Sequence, residues 1–260
     1  MVTTLRGGLR VLLFETPSNP YFNLAFDEAV LERVRYGYSD PVLRVWRNDS
    51  SVVVGMMSRV GSEVNTSFTK TRGIPVVRRF SGGGAVYHDL GNINYTLVVR
   101  KGHDPSGLVG IDYIYGRLLN GVIRALRSLG AANPEVRNTN DVVVGGYKVS
   151  GNSGCIRGDT YLLHGTVLVS ADLETLYNAL IIPPKGLRRS VDPVKWRVAN
   201  IGYVLGREVG LSSVVNALVE GFSALLGRRH YLDLPSSGEL KLAEELYLSK
   251  YSKEGWNYRL

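Results

Sequence analysis

Residues Arg78 to Asp89 read Arg-Arg-Phe-Ser-Gly-Gly-Gly-Ala-Val-Tyr-His-Asp, a set of types suited to anion binding. Consecutive glycines are costly in a regular element, because each loses much backbone entropy on ordering. The run Gly82-Gly83-Gly84 therefore marks a place where the chain turns sharply or lets something approach closely. Without side chains in the way, successive N–H groups can point at phosphate oxygens and form an anion-binding concavity. Arg78 and Arg79 add donors in a fixed fork that matches carboxylate or phosphate. The run is neither a GxxxxGK phosphate loop nor a GxGxxG dinucleotide fingerprint. Taken alone, it reads more simply as a glycine-rich hairpin beside a solvated arginine pair.

A second constellation lies in Asp141-Val142-Val143-Val144-Gly145-Gly146-Tyr147-Lys148-Val149-Ser150. The Gly-Gly pair predicts a two-residue hairpin turn. That register pairs Val143 with Lys148 and Asp141 with Ser150, and alternation puts all four on one face. A lysine held on a strand can neutralise an attacking carboxylate and a phosphate together as charge builds in a transition state. Asp141 beside it could hold Mg²⁺ bridging ATP phosphates. The plain alternative is an exposed hairpin with an ordinary surface ion pair.

The elements that must position these residues are readable in outline. Asn19-Pro20, followed by Phe22, Ala25, Phe26, Ala29, Val30 and Val34, predicts a capped amphipathic helix. Val42–Trp46, Ser51–Gly55, Ile74–Val77 and Asn92–Val99 predict strands, the last two flanking the glycine run. Apolar residues from Ile111 to Leu129 recur at helical spacing and stop at Gly130. Further helices fit Ser213–Leu226, closed by Gly227, and Gly238–Lys250, which precedes an aromatic tail. There is no internal repeat and no βαβ rhythm, so the fold class reads as α+β, with residues 1–260 forming a single domain.

Composition narrows the partners. The chain has 260 residues, 44% hydrophobic and 21% charged, enough to bury a core without staples. Cys155 is the lone cysteine, so no intramolecular disulfide forms and a reducing, cytoplasmic setting is expected. The apolar run Val11–Phe14 is too short for a signal peptide or a membrane span, so no membrane association is expected. The net charge of +8 is scattered, with short clusters only at Lys185–Arg189 and Arg228–His230. Nucleic acid would want a basic stripe with aromatics between; an anionic small substrate or an acidic partner protein accounts for the excess instead.

The two constellations and their flanks together resemble the lipoate–protein ligase family, which shares its catalytic fold with biotin–protein ligases and octanoyltransferases. The carrying pieces are Asn19-Pro20-Tyr21-Phe22-Asn23-Leu24-Ala25, Trp46-Arg47-Asn48, Arg78-Arg79 through Asn92, and Asn140-Asp141. Lys148-Val149-Ser150-Gly151, His164-Gly165-Thr166 and Val198-Ala199-Asn200-Ile201 complete the family order. The resemblance implies mixed and antiparallel sheets flanked by helices. It implies that Arg79, Gly82, Gly83 and the Gly84-Ala85-Val86-Tyr87 backbone bind ATP and then acyl-AMP. It gives Lys148 the catalytic contact with both the lipoate carboxylate and the α-phosphate, and puts an acidic residue, Asp141, beside it; the Mg²⁺ role stays a reading of that carboxylate. His164 is expected to be packing or hydrogen-bonding support.

The activity so implied joins lipoate, through lipoyl-AMP, to a lysine of a lipoyl-domain acceptor such as a dehydrogenase E2 subunit or the glycine-cleavage H protein. Many members carry a further small carboxyl-terminal domain, which this chain is expected to lack. The resemblance to compact archaeal ligases, tail Tyr251–Asn257 included, implies a separate small accessory subunit in its place. The nearest rival is an octanoyltransferase working through a Cys155 thioester without ATP. Against it, cysteine-dependent relatives place their nucleophile elsewhere, near Asn133 or after His164-Gly165, where none stands. A biotin–protein ligase has a different glycine-rich signature.

Overall fold

A βαβ unit opens the fold, one the sequence pattern did not announce. Strand β1 (Leu9–Leu12) pairs in parallel with β2 (Val42–Trp46), and the helix Pro20–Arg35 makes the crossover. The computed structural model describes residues 5–102, 106–182 and 197–260; the cluster Lys185–Arg189 lies outside the described residues. The other strands are β3 (Ser51–Val54), β4 (Val76–Arg78), β5 (Val86–His88), β6 (Asn92–Arg100), β7 (Glu135–Arg137) and β8 (Asp141–Val144). They are followed by β9 (Tyr147–Arg157), β10 (Thr160–Leu168) and β11 (His230–Asp233). Eight form one mixed sheet in the order β11-β1-β2-β6-β10-β9-β8-β7, and β4-β3-β5 form a second, smaller one.

Both faces of the large sheet are covered. Alternation sends Ile93, Tyr95, Leu97 and Val99 of β6 to one face, where they pack with Val122, Leu126, Leu218 and Phe222 of the helices Asn120–Ser128 and Leu211–Leu226. Gly121 allows this approach, since a Cβ there would lie 2.2 Å from the Phe222 ring. Val98, Leu162 and Trp46 face the other way, toward Phe26 and Val30 of the first helix and Ala243 of Ser237–Leu246.

The helix beginning at Pro20 is capped as expected, with the Asn19 side chain accepting from Phe22 N–H at 3.1 Å. It is not amphipathic, however: Asn23, Asp27 and Glu28 are buried along with its apolar residues. Each of these polar groups is partnered. Asn23 bonds Asn48, Asp27 pairs with Arg44 at 2.6 Å, and Glu28 meets Arg157, Lys250 and Tyr251. Burial of polar groups is tolerable only when their hydrogen bonds are met inside, so a helix between sheet and helix reads as half-polar in sequence.

Candidate active site

A cleft lies between the glycine loop and the face of the large sheet carrying β6, β9 and β10. The loop spans β4 and β5, and its sharpest turn is at Gly83, with φ +85°. It rests on Gly55, where a Cβ would stand 1.9 Å from the Gly83 carbonyl oxygen. Ser153 of β9 donates to the Gly82 carbonyl at 2.8 Å, tying the loop to the lysine-bearing strand. Arg79, Gly83, Gly84, Ala85, Val86, Asp141 and Lys148 all line this one cleft. Gly82 and Tyr87 are not on its wall: Gly82 is spent holding the loop, and Tyr87 packs into the core of the small sheet.

The two arginines divide. Arg78 is fully buried, and its guanidinium donates to the carbonyls of Gly55, Met56, Ser58, Trp256 and Asn257, so it faces no anion and the expectation of a double fork fails. Arg79 lines the cleft and draws the loop inward, donating to the carbonyls of Gly82 (2.5 Å) and Gly84 (2.9 Å) and to Ser81 Oγ (3.1 Å). Burial pulls its pKa down to about 10, with the Glu63 carboxylate pushing back, and it remains charged at neutral pH. In a trans peptide C=O and N–H point in opposite directions. Turning the Gly84 carbonyl toward Arg79 therefore turns the Ala85 N–H outward, where Glu63 Oε2 accepts it at 2.5 Å. Glu63, from the short helix Val60–Glu63, has no signal in the sequence that ties it to the loop.

Lys148 stands on β9 with Nζ 2.6 Å from Asp141 Oδ1, and the side chains are 16% and 3% exposed. This is a largely buried pair, not a surface one. Val143 faces Lys148 as the turn predicts, but Asp141 faces Gly151. A β-bulge opposite Val142/Val143 inserts one residue, which moves Ser150 to the opposite face, where it donates to Asn152 at 3.1 Å. Gly151 has a use here: the Lys148 Cε and Nζ lie 3.0 Å from where its Cβ would be, so the ammonium rests across a bare backbone.

Behind the loop a polar chain runs inward. Arg79 Nε donates to Ser81 Oγ, which lies 2.6 Å from His164 Nε2, and His164 Nδ1 is 3.8 Å from Asp27 Oδ2. The order mimics a nucleophilic triad, but Ser81 is fully buried off the cleft wall, and Asp27 is committed to Arg44 and Thr96 at 2.6 Å each. His164 itself lines the cleft and bonds Ser81 beneath the loop. Burial lowers its pKa, as does the Arg79 charge, against the opposing pull of Asp27. His88 on the cleft wall is lowered to about 3 by burial and by Arg79 and His164.

Sequence reasoning missed Asn94 as a site residue. Its amide nitrogen and oxygen, and the Thr166 hydroxyl, are buried on the cleft wall without protein partners. An unmet buried group costs about 1–3 kcal/mol, so these atoms await a polar partner. The signal was present in the polar residues at alternate places, Asn92, Asn94 and Thr96, of a strand otherwise apolar.

Comparison with known proteins fits this geometry. Residues 19–223 match the profile described as the lipoyl protein ligase A/B catalytic domain. The chain is 36% identical to Lipoate-protein ligase A subunit 1 of Thermoplasma acidophilum, over 96% of this chain and 97% of the relative. The chain belongs to the lipoyl protein ligase A/B family. Its fold overlays that of a bi-partite lipoate protein ligase from Thermoplasma acidophilum, studied with its E2 lipoyl domain, at TM-score 0.84 and 35% identity over 96% of both chains. A lipoate-protein ligase A bound with ATP matches at TM-score 0.84 and 34% identity, over 96% of this chain and 98% of that one.

Within this lipoyl protein ligase family fold, Cys155 is badly placed for a thioester. It sits within β9 off the cleft wall, and burial pushes its pKa up to about 11, so the thiolate is scarce. No three His, Cys, Asp or Glu side chains gather to hold a metal ion among the described residues. Asp141 offers one carboxylate, with Oδ1 on Lys148 and Oδ2 accepting from Asn138 at 3.2 Å. That suits Mg²⁺ carried chiefly by phosphate oxygens, which takes few protein ligands. Among the described residues no helix is long and apolar enough to cross a membrane.

Proposed function

We propose that this chain is an ATP-dependent lipoate–protein ligase. The observation that carries the reading is the convergence of the glycine loop and Lys148 on one cleft. A carboxylate is a poor acyl donor because its leaving group would be oxide. In the first step a lipoate carboxylate oxygen attacks the α-phosphorus of ATP, and pyrophosphate departs with the bonding electrons, leaving lipoyl-AMP. In this reading the Lys148 ammonium meets both anions and offsets the charge that gathers between them, a role supported by its place on the cleft wall. Arg79 holds the loop so that Ala85 N–H faces outward, and this amide serves the phosphates once Glu63 yields it. When bound, Mg²⁺ would neutralise phosphate charge, with Asp141 as its protein ligand.

In the second step the ε-amine of an acceptor lysine attacks the acyl carbon, and AMP leaves. Water must be kept from the mixed anhydride, and the cleft's inner end, walled by Leu24, Trp46 and Val53, supports an enclosed seat for the acyl chain. The acceptors are lipoyl-domain proteins, an E2 subunit or the glycine-cleavage H protein. A separate small subunit completes the enzyme, a reading supported by the bi-partite description of the Thermoplasma protein. The net charge of +8 suits docking of an acidic lipoyl domain.

The deciding assay supplies ATP, Mg²⁺ and a lipoyl domain, with lipoate present or absent and with or without the accessory subunit. Pyrophosphate release should require both ATP and lipoate, and Cys155→Ala should keep it. Acyl transfer without ATP, abolished by that substitution, would establish the octanoyltransferase reading instead.

A further inference from the structure

The orphaned atoms of Asn94 lie in a row that crosses five strands. In-register partners run Trp46 to Asn94, Asn94 to Thr166, Thr166 to Gly151 and Gly151 to Asp141. Directly opposed residues present their side chains on one face, and all five line the cleft. The Lys148 ammonium rests over Gly151, the fourth place in the row. Beyond Asp141 comes β7, whose residues are all exposed, whereas the other end closes on Trp46, 3% exposed. An acyl chain with its carboxylate at Lys148 therefore extends toward Trp46.

Its length sets what it meets. Gly151 and Asn94 are two strand spacings apart, about 10 Å, which is comparable with the reach of an extended octanoyl chain. Thr166, one spacing from Gly151, falls near the carboxyl end; Asn94 falls beside the tail. Asn94 is 1% exposed, and neither end of its amide has a partner in the protein. A hydrocarbon tail would leave that amide unmet, at a cost to binding. The dithiolane ring of lipoate ends in sulfur, a weak hydrogen-bond acceptor. A site that offers a buried donor discriminates against the analogue lacking the matching atom.

We propose that Asn94 is a specificity-determining residue that favours lipoate over octanoate by donating its side-chain N–H to a ring sulfur. The inference rests on the ligase reading and adds the acid that the site selects. It is tested with the full chain and its accessory subunit, measuring kcat/KM for pyrophosphate release with lipoate and with octanoate as competing acids. The wild type should favour lipoate, and Asn94→Val should lower that ratio about tenfold, mostly through KM for lipoate, with octanoate turnover kept or raised. An unchanged ratio in a folded, active variant overturns the proposal. Should Asn94→Val fail to fold, calorimetry of the wild type decides, since equal Kd values for lipoate and octanoate overturn it equally. If the wild type releases pyrophosphate with neither acid, the ligase reading itself has failed.

Discussion

At the scale of single residues, the site works by leaving side chains out as much as by putting them in. Gly151 is the clearest case, because a methyl group there would press on the Lys148 head at 3.0 Å. Gly151→Ala should lower adenylation on the order of 100-fold, the loss typical of a reacting group displaced by about 1 Å, while lipoate still binds. Retained turnover would remove the bare backbone from the mechanism. Lys148→Ala should abolish pyrophosphate release and also cost stability, about 1–3 kcal/mol, because it strands a carboxylate only 3% exposed. The sequence reading of a surface hairpin lysine implied almost no such cost; unchanged denaturant unfolding would restore that view. Glu63 makes the opposite prediction. Its carboxylate holds the Ala85 amide at 2.5 Å, so a phosphate bound there must displace it. Glu63→Gln should tighten ATP binding about three- to tenfold, measured by calorimetry without lipoate, and weaker binding would mean that Glu63 builds the loop.

At the scale of elements, the glycine loop is braced from a distant part of the chain. Asn257, in the helix Glu254–Asn257, accepts from Arg78 N–H at 2.9 Å, and the Trp256 indole donates to the Arg78 carbonyl at 2.9 Å. Arg78 in turn holds the carbonyls of residues 55, 56 and 58 on which the loop rests. Asn257→Ala, which touches no cleft residue, should therefore lower the unfolding free energy by about 1–3 kcal/mol and raise KM for ATP; an unchanged KM would uncouple the tail from the site. None of this long-range bracing was legible, because Arg78 differs from Arg79 only in which way its strand turns it. What could be read was local: the Asn19-Pro20 cap, the Gly227 stop, and Lys148 beside Val143 across the Gly-Gly turn. The short strands β1, β5 and β11 were not seen, because their pairing is decided by contacts with chain segments distant in sequence or by the glycine loop beside them. The bulge that moved Ser150 to the other face is likewise a matter of packing, since Val149 had to enter the core.

For the whole molecule, the polar network buried beneath the loop makes stability depend on pH in a fixed direction. His88, lowered to about 3, and His164, lowered by burial and by Arg79, are neutral in the fold at neutral pH. In the unfolded chain both take up protons near the ordinary histidine value of about 6.5. Below that pH the unfolded state binds more protons than the folded one, so stability is present above about 6.5 and is lost as pH falls. Asp27 and Glu28 act in the same sense further down: Arg44 and His164 hold the first, and Lys250, Tyr251 and Arg157 the second, below the usual carboxylate range despite burial. Asp89, raised by burial, opposes them. The loss between pH 6.5 and 5 therefore belongs to the histidines, and His88 alone accounts for about 2 kcal/mol of it. Urea unfolding at a series of pH values should show this decline, and His88→Gln should make it shallower while the His164 share persists. A stability that stays level down to pH 5 would mean that the two imidazoles are not enclosed beside Arg79. The loop would then lack the dry, charge-organised floor on which the whole site is built.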